Sequence, residues 1–201
     1  MAEPLTSLEA LIRERIAASI ELKQAILKQS QLLAQVTKEL IRAYQAGRKV
    51  LLFGNGGSAA DAQHIAAELG GKYYMDRKPL PAEALTVNTS TLTAIGNDYG
   101  FEQIFARQVE ALGNPGDIAI GISTSGNSPN VIEGIRAAKK KGMITIGLTG
   151  ADGGQLKNEV DYCICVPSKD TPRIQEAHIM IGHIWCELIE RALFGNEGEN
   201  D

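Results

Sequence analysis

The sequence is poor in several features that would place it outside the ordinary globular proteins. It has three cysteines, an odd number with no Cys-x-x-Cys pair, so neither a disulfide scaffold nor a cysteine zinc site is predicted. Lysine and arginine total 20 against 24 aspartate and glutamate residues, and the net charge of −4 argues against general nucleic-acid binding. No apolar run is long enough to span a bilayer, and the polar start does not resemble a secretory signal. We therefore expect a cytoplasmic protein whose partners are neither membranes nor nucleic acids.

The overall composition, 44% hydrophobic and 22% charged over 201 residues, is typical of a single folded domain. Residues 1–46 are predicted to be helical, with a capping box at Thr6 and Glu9. Apolar residues recur there at helical spacing, at Leu8, Leu11, Ile12, Ile16 and Ile20. Because these apolar faces are broad, we expect the N-terminal helices to pack against another subunit as well. Residues 47–195 should form the main domain, and residues 196–201 a frayed tail.

From residue 49 onward, short apolar strands alternate with helices, which predicts a parallel sheet covered on both faces. The predicted strands are 49–53, 84–88, 117–123, 143–148 and 161–166. The predicted helices are 58–69, 101–112, 129–141 and 172–193. Ligands of such sheets bind beyond the carboxyl ends of the strands, so the site should lie in the loops that follow them.

The first of these loops is the most informative stretch of the chain. Gly54-Asn-Gly-Gly57 follows a buried strand, and Ser58 with Asp61 predicts a capping box at the start of the next helix. The free amides of that helix would suit an oxyanion or sugar hydroxyls. His64 and Glu68 lie four residues apart and share a helix face, where they could move protons or hold a metal.

Two further loops carry polar residues. Ser123-Thr-Ser-Gly-Asn-Ser128-Pro129 places several hydroxyls at a helix start, which suits a phosphate, although alone it could be an ordinary helix cap. Because a glycine-rich loop follows another strand, we favour the interpretation that this hydroxyl-rich loop binds a phosphate. Asn97-Asp98-Tyr-Gly is predicted to be a third loop, but its residues are also common turn formers.

The last helix carries two histidines with different expected roles. At about 100° per residue, Gln175 and His183 differ by about 80° and can converge, whereas His178 lies about 140° from His183. A lone histidine on an apolar helix is usually a core residue, so His183 needs independent support.

The three motifs Gly-Asn-Gly-Gly-Ser-Ala-Ala-Asp-Ala-Gln-His-x-x-x-Glu, Ser-Thr-Ser-Gly-Asn-Ser and Arg-Ile-Gln-Glu-x-His-x-x-x-x-His supply that support. Together they resemble the sugar isomerase (SIS) superfamily and, within it, the phosphoheptose isomerases, over nearly the whole chain. The resemblance implies a three-layer α/β/α sandwich with a five-stranded parallel sheet, preceded by N-terminal helices. It also implies a homotetramer with its sites between subunits, and interconversion of sedoheptulose 7-phosphate with D-glycero-D-manno-heptose 7-phosphate for surface glycans.

The resemblance assigns roles by position. The implied substrate contacts are Asn55, Gly56, Gly57, Glu68, Asn97, Asp98, Ser123, Thr124, Ser125, Ser128 and Gln175. The implied zinc ligands, for one ion per subunit and no nucleotide cofactor, are His64, Glu68, Gln175 and His183. The implied acid/base pair is Glu68 and His183, and a carboxylate base is well suited to removing a proton beside a carbonyl. Some relatives carry an aspartate where this chain has Pro172, so that residue has no counterpart here.

Three alternatives remain at this point. Gly54-x-Gly56-x-x-Ala59 weakly matches a dinucleotide-binding fingerprint, but the second predicted strand ends in Asn88 and not in an acidic residue. A non-catalytic tetrameric relative binds the bacterial replication initiator and lacks the equivalents of Glu68 and His183, both of which are present here. An isomerase of another phosphoketose is the third alternative, since no residue identifies the chain length of the sugar.

Overall fold

A computed structural model of the protein describes residues 7–195 as a three-layer α/β/α sandwich. The strands are β1 (Val50–Gly54), β2 (Ala82–Ala84), β3 (Ile118–Ser123), β4 (Ile144–Gly150) and β5 (Tyr162–Val166). The helices are α1 (Leu8–Ile26), α2 (Ser30–Gln45), α3 (Gly57–Gly70), α4 (Thr89–Tyr99), α5 (Ala106–Leu112), α6 (Pro129–Lys140) and α7 (Thr171–Phe194). Short 3₁₀ turns lie at Leu27–Gln29, Phe101–Gln103 and Leu156–Asn158.

The sheet confirms the predicted parallel architecture. All five strands are parallel in the order β2-β1-β3-β4-β5. Consecutive strands therefore run outward in both directions from the β1/β3 boundary, which is the topological switch point where such sheets bind ligands. Gly54 pairs with Ile122 there, so the loops that leave β1 and β3 start side by side.

Two hydrophobic cores lie on opposite faces of the sheet, because successive residues of a strand point to opposite sides. Val50 and Leu52 pack with α1, α2, α3 and α7, while Leu51 and Phe53 pack with α5 and α6. Phe53 is fully buried and stacks at a 5.2 Å centroid distance on Phe105. Truncating it to alanine would destabilise the fold by roughly 3–5 kcal/mol.

The structure corrects the second predicted strand and its surroundings. β2 covers Ala82–Ala84 and overlaps the predicted range 84–88 at one residue. Among the strands of residues 7–195 it pairs with β1 alone, at the edge of the sheet. The chain turns after it, where the Val87 amide donates to the Ala84 carbonyl. Asn88 then caps α4 by accepting from the Thr91 amide. The predicted helix 101–112 is split into a 3₁₀ turn and α5.

The N-terminal segment is helical as predicted. Thr6 and the tail at 196–201 lie outside the described residues, and the side chain that caps α1 is that of Ser7, which accepts from the Ala10 amide at 3.2 Å. A stripe of four α1 residues is more than half exposed: Leu8, Ile12, Ile16 and Ile20. Within residues 7–195, no helix combines the length and the apolar character that crossing a membrane requires.

Candidate active site

Three polar side chains meet between α3 and α7. His64 and Glu68 lie one turn apart on α3, with Nε2 and Oε1 3.3 Å apart, as their spacing predicted. His183 of α7 brings its Nε2 to 2.9 Å from the Nε2 of His64. Possible ligand atoms of all three groups lie within 4.8 Å of one another, so they form a candidate metal-binding cluster. We call these three residues the triad.

Two glycines let α7 approach α3 closely enough to form the triad. A Cβ atom on Gly182, beside His183, would lie 2.6 Å from two side-chain atoms of Ile65. A Cβ atom on Gly57, the first residue of α3, would lie 2.8 Å from Cδ of Gln175. A larger residue at either position would push the helices or the Gln175 side chain away.

Gln175 and His183 occupy different parts of this contact. Eight residues along a helix correspond to a rise of about 12 Å. Gln175 accordingly lies against Gly57 at the start of α3, while His183 lies two turns further along α7 at the triad. A difference of about 80° around the helix axis therefore does not by itself bring the two side chains together, because they are also separated along the axis.

His178 is kept apart from the triad, as the helix geometry predicted. It is fully buried, and its Nε2 lies 3.0 Å from the Thr149 carbonyl, to which it donates as the neutral tautomer. Burial lowers the pKa of His178 to about 4, opposed by the hydrogen bond to Thr149. It is therefore an uncharged core residue at neutral pH.

The loop after β3 gathers hydroxyl groups at the start of α6. The Oγ atoms of Ser123 and Ser128 lie 2.9 Å apart, and Oγ of Ser125 lies 3.5 Å from that of Ser123. Ser128 is the N-cap residue with Pro129 behind it, as predicted, but its hydroxyl faces Ser123 and makes no capping bond. Thr124 joins this loop to β4 through its carbonyl, which accepts from the Gly150 amide. The hydroxyls are thus held together without a fixed positive charge.

A reciprocal amide pair connects this loop with the glycine-rich loop after β1. Nδ2 of Asn55 donates to Oδ1 of Asn130 at 2.9 Å, and Nδ2 of Asn130 donates to Oδ1 of Asn55 at 2.8 Å. Asn130 is buried, and sequence reasoning missed it. The available signal was an asparagine in the first turn of a helix, directly after Ser-Pro, where polar side chains usually serve a local purpose.

Asn97 and Asp98 do not lie in a loop. They belong to the last turn of α4, which ends at Gly100 with a φ of 92°. Their side chains are exposed, and Nδ2 of Asn97 donates to Oδ1 of Asp98 at 2.7 Å. The turn-forming residues signalled the end of a helix and not a separate binding loop.

The predicted capping box at Ser58 and Asp61 is wrong. α3 starts one residue earlier, with Gly56 as its N-cap, because a turn joins the Ser58 amide to the Asn55 carbonyl at 3.0 Å. Asp61 instead has a buried Oδ2 that finds no hydrogen-bond partner among residues 7–195. Burial raises the pKa of Asp61 to about 6, and the nearby His64 opposes that shift.

Comparisons with known proteins agree with this architecture. A family model described as SIS domain matches residues 16–150. A phosphoheptose isomerase from Clostridium acetobutylicum is 58% identical over 189 residues, which cover 92% of this chain and 96% of the relative. One from Aneurinibacillus thermoaerophilus is 57% identical with the same coverage.

The chain belongs to the phosphoheptose isomerase family of SIS-domain proteins.

Solved structures of the phosphoheptose isomerase family have the same fold. The one from Francisella tularensis superimposes with a TM-score of 0.89 at 41% identity, and covers 93% of this chain and 100% of its own. The one from Neisseria gonorrhoeae gives a TM-score of 0.87 at 45% identity, and covers 92% of this chain and 99% of its own.

In this member of the phosphoheptose isomerase family, the donor chemistry of the triad fits a divalent metal ion. Two ligand atoms on a tetrahedral zinc ion, at bonds of 2.0–2.1 Å, lie about 3.3 Å apart. Two of the three separations here are 2.9 Å between His64 and His183 and 3.3 Å between His64 and Glu68, and all three groups offer ligand atoms within 4.8 Å of one another. Two imidazole nitrogens and a carboxylate oxygen are also ligands that zinc accepts.

Proposed function

We propose that the protein is an aldose–ketose isomerase that interconverts sedoheptulose 7-phosphate and D-glycero-D-manno-heptose 7-phosphate. The reaction would begin the supply of activated heptose for lipopolysaccharide or other surface glycans. The observation that carries the proposal is the pairing of the triad with a hydroxyl-rich loop at the switch point of the sheet, in a chain that is 58% identical to a phosphoheptose isomerase.

In this proposal, the phosphate binds at the loop after β3. Ser123, Ser125 and Ser128 offer three converging hydroxyls, and Thr124 lies between them in the chain. The start of α6 adds the partial positive charge of a helix N-terminus, which favours an anion there. The phosphate would thereby fix one end of the sugar.

The sugar chain would lie over the adjacent loop toward α3. Gly56 and Gly57 offer backbone at the start of α3, with Gln175 directly above Gly57. The Asn55 side chain is paired with Asn130, so its substrate contact would use whatever hydrogen-bonding capacity that pair leaves free. Asn97 and Asp98 remain proposed substrate contacts, from the last turn of α4.

The chemistry would proceed through an enediol. The Glu68 carboxylate would remove a proton from C1 of the open-chain ketose and return it to C2. His183 would carry a proton from the C1 hydroxyl to the oxygen on C2, so that the product aldose has the same atoms as the ketose. A positioned general base of this kind contributes typically 10²–10⁴-fold to the rate.

Zinc, bound through His64, Glu68 and His183, is proposed as the metal of the triad. When bound, it would polarise the carbonyl and stabilise the negative charge that develops on the enediolate. A carboxylate that ligates zinc is less basic, so the two proposed roles of Glu68 compete. Gln175 lies about 12 Å along α7 from His183 by the helical rise, so its proposed role as fourth ligand needs a site built between two subunits.

A homotetramer is the proposed assembly. The α1 stripe is 52–76% exposed in one chain, which is unusual for four apolar residues in a row at helical spacing. It continues into an apolar groove between α1, α2 and α7, lined by Ile20, Leu27, Leu33, Met180, Ile184 and Leu188. Covering this surface with other subunits would also enclose the triad, where the His64 side chain is 47% exposed.

The test is turnover of a panel of ketoses by the purified protein, with the appearance of the aldose measured by coupled assay or chromatography. Sedoheptulose 7-phosphate should be isomerised faster than fructose 6-phosphate or ribulose 5-phosphate, and unphosphorylated sedoheptulose should react poorly. Ser128→Ala should raise KM for the phosphorylated sugar and leave the triad intact. Equal turnover of the free and phosphorylated heptose would contradict the phosphate-loop assignment.

A further inference from the structure

A buried ion pair connects the two helices that carry the triad. Arg77 lies in the segment that follows α3, and Nε of Arg77 donates to Oε2 of Glu190 on α7 at 2.9 Å. Both side chains are 1% exposed. A pair so completely removed from water is stable only when its remaining donors and acceptors are also satisfied.

Arg77 satisfies its other donors at the carboxyl end of α3. Its Nη2 donates to the Glu68 carbonyl at 2.9 Å, and its Nη1 donates to the carbonyls of Leu69 and Gly71 at 2.8 and 3.0 Å. The last four carbonyls of a helix have no partner inside the helix, so a guanidinium is well placed to bind them. One of these carbonyls belongs to Glu68 itself, the proposed base.

The Glu190 carboxylate, on α7, also accepts several hydrogen bonds besides the one from Arg77. It lies seven residues after His183, which is two turns along the same helix face. It accepts from the amides of Tyr73, Tyr74 and Met75 at 3.1, 2.7 and 2.8 Å. Burial raises the pKa of Glu190, but the three amides and Arg77 outweigh it and hold the pKa below its ordinary value.

The segment held by Glu190 also borders the triad. The Tyr73 ring lies 5.9 Å from the His183 ring, and both line a cleft beside α7. Together with the Gly182–Ile65 contact, the ion pair fixes α3 against α7 at two separate points.

We propose that Arg77 and Glu190 are positioning residues that hold Glu68 on α3 at its working distance from His183 on α7. The roles of Glu68 and His183 rest on the proposed function. Neither positioning residue touches the substrate; they act through the Glu68 carbonyl and through the helix that carries His183.

The experiment compares Arg77→Lys and Glu190→Gln with Asp117→Asn as a matched control. Arg77→Lys keeps the charge but loses the planar fork that reaches Glu190 and the α3 carbonyls together. Asp117 is also a buried carboxylate, 3% exposed, that accepts from the amides of Lys49 and Asn114 and from the Lys49 ammonium. It lies at the amino end of the sheet, opposite the site, so its loss should reduce stability alone.

Three readouts separate positioning from simple stability, all measured well below the melting temperatures. Zinc affinity, measured by competition with a chelating dye, should weaken about 10–100-fold in Arg77→Lys and stay unchanged in Asp117→Asn. Turnover of sedoheptulose 7-phosphate should fall at least about tenfold in kcat with little change in KM, since the phosphate loop is untouched. The imidazole NMR signals of His64 and His183 should shift, while that of His178 serves as an internal reference among the three histidines.

The NMR readout requires neither zinc nor substrate, so it tests the positioning role even if the proposed reaction is wrong. Unshifted His64 and His183 signals in Arg77→Lys, matching those of Asp117→Asn, would overturn the proposal. Equal losses of melting temperature in both variants with unchanged kcat and zinc affinity would overturn it as well. If Glu190→Gln does not fold, the same three readouts on the milder Arg77→Lys variant test the positioning role.

Discussion

Replacing Glu68 with glutamine is the substitution that isolates the proposed chemistry. Glu68→Gln keeps the size and one side-chain oxygen but removes the negative charge that faces His64 at 3.3 Å. The side chain is 28% exposed, and exposed ion pairs contribute about 0–1 kcal/mol, so the fold should lose little stability. The effect on catalysis should be far larger than the effect on folding.

The expected loss in turnover follows from the two roles proposed for this carboxylate. A missing general base reduces the rate by about 10²–10⁴-fold, and a hundredfold loss corresponds to about 2.7 kcal/mol of barrier. Sedoheptulose 7-phosphate should still bind, because the hydroxyls of Ser123 and Ser128 are unchanged. The assay is steady-state turnover together with substrate binding by calorimetry. His183→Gln should show the same pattern.

His178→Gln is the control, because it should lose stability but keep its turnover. This side chain is fully buried and bonded to the Thr149 carbonyl, so the variant should lose about 1–3 kcal/mol of stability. Its turnover per folded molecule should remain that of the original protein. A fully active Glu68→Gln enzyme would refute the mechanism, and equal losses of turnover at His178 and His183 would refute the assignment of the helix face.

Three further outcomes are expected. Light scattering should give a tetramer, and Ile16→Glu, in the exposed α1 stripe, should produce smaller species that stay folded; a monomeric original protein would contradict the assembly. Elemental analysis should find up to one zinc per chain, with turnover lost on chelation and regained on zinc addition, whereas full activity in a metal-free sample would remove zinc from the mechanism. Because the pKa of His178 is lowered from 6.5 to about 4, the unfolded chain binds more protons in that window. Stability should therefore fall as pH drops from 6.5 to 4, by up to about 3 kcal/mol, and His178→Gln should lack this part of the loss.

Strands and helices with a long, regular pattern of apolar residues could be predicted from the sequence, whereas a strand of only a few residues could not. β1, β3 and β4 are apolar runs buried on both sides, and β5 is an edge strand in which Ile164 and Val166 are buried. All four were placed within two residues of their observed ends. β2 has three residues at the edge of the sheet, so the apolar stretch of Leu85 and Val87 was mistaken for its body. Leu85 does donate to the Leu52 carbonyl, but the chain turns immediately afterwards.

The candidate site could be predicted where one helix or one loop carries it. His64 and Glu68 follow from four-residue spacing, and the clustering of Ser123 and Ser128 follows from a single turn. The contacts that join distant segments have no local signal. Asn55 and Asn130 are 75 residues apart, and Arg77 and Glu190 are 113 apart, so their pairing depends on how the whole sheet folds.

The fate of one proton tests the central claim most directly. Sedoheptulose 7-phosphate is incubated in D₂O with the purified protein, and the products are followed by NMR and mass spectrometry. If Glu68 carries the proton between C1 and C2 and exchanges it with solvent, the aldose should form with deuterium at C2, and Glu68→Gln should neither form it nor exchange the C1 proton of the ketose. An aldose that carries no deuterium at C2 and is also formed by Glu68→Gln, or no aldose at all from the original protein, would contradict the account.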